Sequence, residues 1–266
     1  MKFPLYWIDA FTTKPFHGNP AGVVPLESWP EATLMQRIAF ENGLAETAFF
    51  VRTGPDRFHL RWFTPELEMD LCGHATLASA FVVFQHLGQP GDHIVFESQS
   101  GPLTVTRRAD GRLELDFPAR PPVALAAAQI PAPLLPGLRG PAPQWTGKAR
   151  DYFCVYPAAA DVLALEPDFT WLNQLDVIGI IATAPGDGGV DFVSRFFMPN
   201  CAVPEDPVTG SSHCTLIPYW AQRLGRTTLH ARQLSARGGD LFCEHAGERV
   251  KIAGHAVLYL RGEIEV

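Results

Sequence analysis

The sequence predicts an α+β fold of two similar domains, each a curved sheet wrapped around one buried helix. Three observations point there. Short strand-like runs punctuated by Gly and Pro crowd the first half, one helical segment is apolar nearly all round, and the second half repeats the plan of the first.

The strand-like runs are Leu5–Phe11, Thr47–Val51, Phe58–Phe63, Ile94–Glu97, Leu103–Arg107 and Leu113–Phe117, each fitting a half-buried strand. A first helix is expected from near Ser28, as N-cap followed by Pro30, to a stop at Gly43, with Leu34, Met35, Ile38 and Ala39 recurring at helical spacing. A second runs from Gly73 to Leu87 and stops at Gly88. After its opening glycine it reads HATLASAFVVFQHL, and a helix apolar on every face is normally buried on every side. Pro and Ala then crowd residues 118–143, which argues for a linker or an extended crossover.

The second half follows the first at a nearly constant shift. Arg61-Trp62-Phe63-Thr64-Pro65 matches Arg195-Phe196-Phe197-Met198-Pro199 at an offset of 134. Gly73 matches Gly210 at 137, so the loop between has grown by three residues. Ser98–Leu103 matches Ser235–Asp240, and Leu113–Leu115 matches Val250–Ile252, both again at 137. This reads as an internal duplication giving two pseudo-symmetric domains, with the cleft between them as the natural ligand site. Pro218 lies inside the second buried helix, so that segment is expected to kink there or to split into two short helices.

At 266 residues, 47% hydrophobic and 18% charged, the chain can bury a sizeable core without disulfides. The net charge of −7 is spread thinly and basic runs stop at pairs such as Arg107-Arg108, which argues against nucleic acid as a partner. No apolar stretch approaches the roughly 18–20 residues that cross a bilayer. The first twenty residues hold Lys2 and Asp9 without a clean apolar run, so no signal peptide is expected. Five cysteines without a C-x-x-C pair fit neither a disulfide framework nor a structural zinc site and suggest a cytoplasmic protein with reduced thiols.

Each repeat opens its buried helix with a glycine and small polar residues: Cys72-Gly73-His74-Ala75 in the first, Thr209-Gly210-Ser211-Ser212 in the second. A helix N-terminus presents free N–H groups and partial positive charge, and glycine lets a ligand approach the backbone. Either motif alone reads as a plain helix start. Their matched position in both repeats favours a paired clamp for an oxyanion or carboxylate. There is no Gly-rich phosphate loop, nucleophile elbow, HxH or HExxH spacing, so no metal and no cofactor are expected.

Four segments carry a more specific signal: DAFTTKPFHGNPAGVV at 9–24, LAETAFF at 44–50, FTPELEMDLCGHATLASA at 63–80 and PNCAVPEDPVTGSSHC at 199–214. In this order they resemble the signatures of the PhzF-like (phenazine biosynthesis) family over nearly the whole chain. The resemblance implies the diaminopimelate epimerase-like fold: two pseudo-symmetric domains, each a β-barrel-like sheet wrapped around a central buried helix. Its last strand returns to the first domain, so the expected domains are 1–118 joined by about 255–266, and 119–254. It implies Glu46 as the catalytic acid/base, with His74, Asp206, Ser211, Gly73, Gly210 and Asn19 as substrate-binding residues. Asn19 by itself, before Pro20, reads as a turn residue. It implies a homodimer and a cofactor-independent isomerase moving a proton on a small carboxylate-bearing substrate.

The chemistry agrees with that role. A carboxylate that takes a proton from carbon and returns it elsewhere acts first as base and then as acid, and burial makes both forms accessible. The apolar setting LAETAFF suits such burial, though a strand-edge Glu would read the same. In the epimerase relatives two Cys at the helix starts act as the acid/base pair; here the first position keeps Cys72 and the second is Thr209, too weak an acid. Two alternatives stand beside the isomerase: an amino-acid racemase or epimerase using Cys72 with another acid, and a non-catalytic metabolite-binding protein of the same fold.

Overall fold

The computed structural model describes residues 1–201 and 203–266. Its contacts divide the chain into two units, residues 1–117 with 251–266, and residues 118–250.

The first unit contains β1 (Lys2–Ala10), β2 (Asn19–Leu26), α1 (Ala32–Asn42), β3 (Glu46–Arg52), β4 (Arg57–Phe63), β5 (Glu68–Met69), α2 (Gly73–Gln85), β6 (His93–Ser98), β7 (Gly101–Arg107) and β8 (Leu113–Pro118). β2 runs parallel to β3, β3 antiparallel to β4, β4 parallel to β6, and β6 antiparallel to β7. α2 is the core of the unit: eleven of its thirteen residues are buried, as its sequence requires. Its hydroxyls Thr76 and Ser79 are spent inside the helix on the carbonyls of Cys72 and Ala75. α1 covers the other side of β2–β4 through Met35, Ile38 and Ala39 against Val24, Phe49 and Phe63.

Three sequence expectations shift here. α1 begins at Ala32 behind Glu31, not near Ser28; Pro30 disfavours helical backbone at Trp29, which delays the start. β1 ends at Ala10 because Phe11 adopts φ 64°. β2 is absent from the expected strands because Pro20 and Pro25 mask it, yet it pairs with both β1 and β3. The loop before β2 is why HGNP is a motif: Gly18 has φ +66°, and a Cβ there would collide with the carbonyl oxygen of Ala10.

The second unit contains β9 (Val123–Ala124), α3 (Leu134–Leu138), β10 (Trp145–Lys148), β11 (Tyr152–Val155), α4 (Ala159–Leu163), α5 (Phe169–Leu172), β12 (Ile180–Pro185), β13 (Phe192–Phe197), α6 (Gly210–Leu224), β14 (Thr228–Gln233) and β15 (Gly239–Ala246); β16 (Arg249–Gly254) then leads back to β17 (Ala256–Glu265), which pairs with β1 in the first unit. The ladder repeats that of the first unit: β11 parallel to β12, β12 antiparallel to β13, β13 parallel to β14, β14 antiparallel to β15. The stretch expected as linker or crossover carries β9, a short 3₁₀ turn and α3, whose Leu134 and Leu138 join the core of this unit.

α6 runs unbroken through Pro218, so the segment is not split in two. Proline has no N–H to give the carbonyl one turn back. That carbonyl, on Cys214, accepts instead from the Arg120 backbone N–H at 2.8 Å. All five cysteines are free, and among the described residues no helix is long and apolar enough to cross a membrane.

Candidate active site

The loop from β4 to α2 is held by Arg61, whose Nε and Nη2 both donate to the Glu68 carboxylate at 2.7 Å. The second unit repeats the device: Arg195 donates through Nε and Nη2 to Glu205 at 2.7 and 2.9 Å. The pairs span seven and ten residues, so the three-residue growth of this loop falls between Arg195 and Glu205. In each unit a fork-to-carboxylate bond sets the chain leading into the buried helix.

In the first unit that chain delivers Cys72, Gly73 and His74 beside the start of β3. Glu46 is the first residue of β3, opposite Ala21 of β2, and its side chain is 16% exposed. Nε2 of His74 stands 3.2 Å from its Oε2, an ion-pair distance whose angle falls outside hydrogen-bond geometry. Cys72 Sγ lies 3.5 Å from the ring's other nitrogen, Nδ1. His74 is 5% exposed and Cys72 6%. Asn19, fully buried, opens β2 two residues before Ala21.

The electrostatics follow from burial with partners. Burial, the largest influence on His74, drives its pKa down; its two close partners, Cys72 at Nδ1 and Glu46 at Nε2, outweigh it and leave the pKa well above 6.5. Burial first, then the Glu46 charge, pushes the Cys72 thiol up from 9.0. At neutral pH the thiol is therefore protonated, and the charge holding the proton on His74 is that of Glu46.

Glu46, Cys72 and His74 each offer a metal-ligating atom, all within 4.8 Å of one another. Thiol and carboxylate, however, face opposite nitrogens of one ring. The arrangement suits proton movement better than ligation.

In the second unit Asp206 and Gly210 are buried and Ser211 is half-buried at the start of α6. Thr209 donates its hydroxyl to Asp206 Oδ2 at 2.5 Å. Gln233 of β14 braces the turn: its Nε2 donates to the Asp206 carbonyl at 2.7 Å, and its Oε1 accepts from the Thr209 N–H at 2.9 Å. Ser211 Oγ accepts from Arg150 Nη2 at 3.3 Å. Gln233 and Arg150 were invisible to sequence reasoning, since neither lies in a motif and only the fold brings them to the helix start. The residues expected at the site thus form two groups: Glu46, Gly73 and His74, with Asn19 nearby in β2, in one unit, and Asp206, Gly210 and Ser211 in the other.

Comparison with known proteins shows the family and the fold. An uncharacterized isomerase of Pseudomonas aeruginosa is 48% identical over 266 residues, covering 100% of both chains. A PhzF-family crystal structure from Enterococcus faecalis superposes with a TM-score of 0.94 at 46% identity, again over 100% of both chains. A hydroxyproline epimerase from Agrobacterium vitis, 10% identical, shares the fold with a TM-score of 0.63 over 99% of this chain and 92% of its own. The sequence model of the family described as phenazine biosynthesis-like protein matches residues 8–262, and the chain belongs to that PhzC/PhzF family.

Proposed function

We propose that the chain is a cofactor-independent isomerase that shifts a proton on a small carboxylate-bearing substrate, with Glu46 as the base that takes the proton and the acid that returns it. The observation that carries this reading is the pairing of half-buried Glu46 with buried His74 at 3.2 Å beside the N-terminus of α2. Near-identical length and 48% identity to a relative named an isomerase support the reaction class.

The steps need only groups of this chain. The Glu46 carboxylate accepts a proton from an acidic C–H. The electron pair delocalises onto a substrate oxygen, which the N–H groups of Gly73 and His74 in the first turn of α2 stabilise. The resulting Glu46 carboxylic acid gives the same proton to a second carbon, and the carboxylate is restored. His74, charged and held against Glu46, keeps that carboxylate oriented. The family resemblance assigns substrate binding to Asn19 as well as to Asp206, Gly210 and Ser211, the last two at the start of α6.

The racemase reading on Cys72 has less support. The thiol is held protonated by burial and by Glu46, and Thr209, at the second helix start, gives its hydroxyl to Asp206.

The test is Glu46→Gln, followed by proton NMR of small unsaturated and α-substituted carboxylates in deuterated solvent. Wild-type protein is expected to exchange or shift a C–H proton of at least one, and the variant to fold normally with a rate lower by ~10²–10⁴-fold. Full turnover in Glu46→Gln would remove the glutamate from the mechanism.

A further inference from the structure

A buried imidazole with a carboxylate at one nitrogen raises the question of what stands at the other. At Nδ1 of His74 it is sulfur, 3.5 Å away, on the residue that precedes the first turn of α2. An apolar wall there would leave the Nδ1–H of a charged ring unpaired in a dry setting, and an unpaired buried donor is expensive. Sulfur accepts weakly from an N–H and, as a thiol, donates weakly to a bare nitrogen. It can therefore accompany the ring in either state.

We propose that Cys72 is a positioning residue: its sulfur at Nδ1 steadies His74 as the imidazolium whose Nε2 stands 3.2 Å from Glu46 Oε2, and thereby holds that carboxylate in place to take a proton from carbon. The proposal rests on the Glu46 reading given above and adds a role for the thiol distinct from that of a base. No bond to sulfur forms or breaks. The proton on Nε2 stays on the ring throughout, and the proton in transit belongs to the substrate and Glu46.

The surroundings leave Cys72 and Glu46 as the groups that govern the ring. They are the two ionisable side chains acting on His74. β1, also packed on α2, carries the buried Asp9, which accepts the Phe16 N–H at 2.9 Å. β17 reaches the far end of the helix, where Arg261 acts on His86 rather than His74. β2 places no ionisable residue against α2.

The test reads the ring directly and needs no substrate. Protein labelled with ¹⁵N-histidine is titrated from acid to alkaline pH, with His74 assigned by its absence in His74→Gln. Wild type is expected to show both His74 nitrogens protonated at neutral pH. In Cys72→Ala the ring should give up a proton at a distinctly lower pH, with Glu46→Gln lowering it as well. Cys72→Val, which fills the sulfur's space, serves if the alanine variant does not fold. A neutral His74 ring at pH 7 in wild type overturns the proposal, as does a titration unmoved by Cys72→Ala or Cys72→Val. Turnover retained in Glu46→Gln would sink the catalytic reading and leave the ring titration to be judged on its own.

Discussion

Gly179 occupies in the second repeat the ladder position that Glu46 holds in the first. Thr47 pairs with Phe63, and Ile180 pairs with Phe197. Phe63 and Phe197 are the third residues of the matched runs RWFTP and RFFMP. The residue one step before each strand partner is Glu46 in one unit and Gly179 in the other. The duplicated ladder thus offers two places for a proton-carrying side chain, and the chain fills one. The second place has no room: a Cβ on Gly179 would collide with the outer edge of the Phe196 ring at Cζ, and Phe196 is itself 2% exposed.

Gly179→Ala should therefore destabilise the fold. The buried ring must leave its position to admit a methyl group, and overpacking of this kind costs ~1–3 kcal/mol. Urea unfolding followed by circular dichroism measures it. A midpoint equal to wild type would mean that Phe196 yields freely and that the asymmetry between the repeats has another origin.

Thr209→Val is expected to cost about 1–3 kcal/mol, because it removes the donor to a carboxylate that is 8% exposed and in a buried turn. Thr209→Ser keeps the hydroxyl and should stay near wild type. Equal losses in the two variants would show that the methyl, not the hydrogen bond, is what matters.

Arg195→Lys should be more damaging than Arg61→Lys, although the residues match in the duplication. Both forks grip a glutamate, but Arg195 Nη1 also donates to the carbonyls of Val162 and Leu165, at 3.2 and 2.8 Å around the end of α4. Lysine cannot reproduce a planar fork and a third donor together. The excess loss should be about 1–3 kcal/mol, read as the difference between the two unfolding midpoints. Similar midpoints would mean that the carbonyl contacts contribute nothing net.

These residues also show what the sequence disclosed. The repeat, both buried helices and the first-turn glycines were legible because periodicity and self-similarity are local properties of a string. Glu46 and His74 were legible only through resemblance, since 28 residues separate them and no local rule pairs a strand start with a helix start. Pro218 misled because its remedy, the Arg120 N–H, lies almost a hundred residues upstream. Gln233 could not be found at all: a lone amide in a strand has no signature until the turn from Asp206 to Thr209 folds against it. β2 was hidden by its two prolines, whose missing N–H groups ordinarily argue against a paired strand.

The two buried histidines at the helix starts should make stability depend on pH in opposite senses. His213 gives its Nδ1–H to the Thr209 carbonyl at 2.7 Å, and burial lowers its pKa from 6.5 to about 4. The unfolded chain binds this proton more readily than the native one, so the contribution of His213 is whole above pH 6.5 and is lost as pH falls to about 4. A shift of that size corresponds to about 3 kcal/mol across the window. His74 has its pKa raised well above 6.5, so the native state holds its proton more tightly. Its contribution is whole below pH 6.5 and is lost as pH rises through the native value. Urea unfolding at half-unit steps from pH 4.5 to 9 separates the two. His213→Phe should flatten the acid limb and leave the alkaline limb alone, while His74→Gln should do the reverse. An acid limb of unchanged slope in His213→Phe would show that carboxylates elsewhere, and not this ring, set the acid sensitivity of the fold.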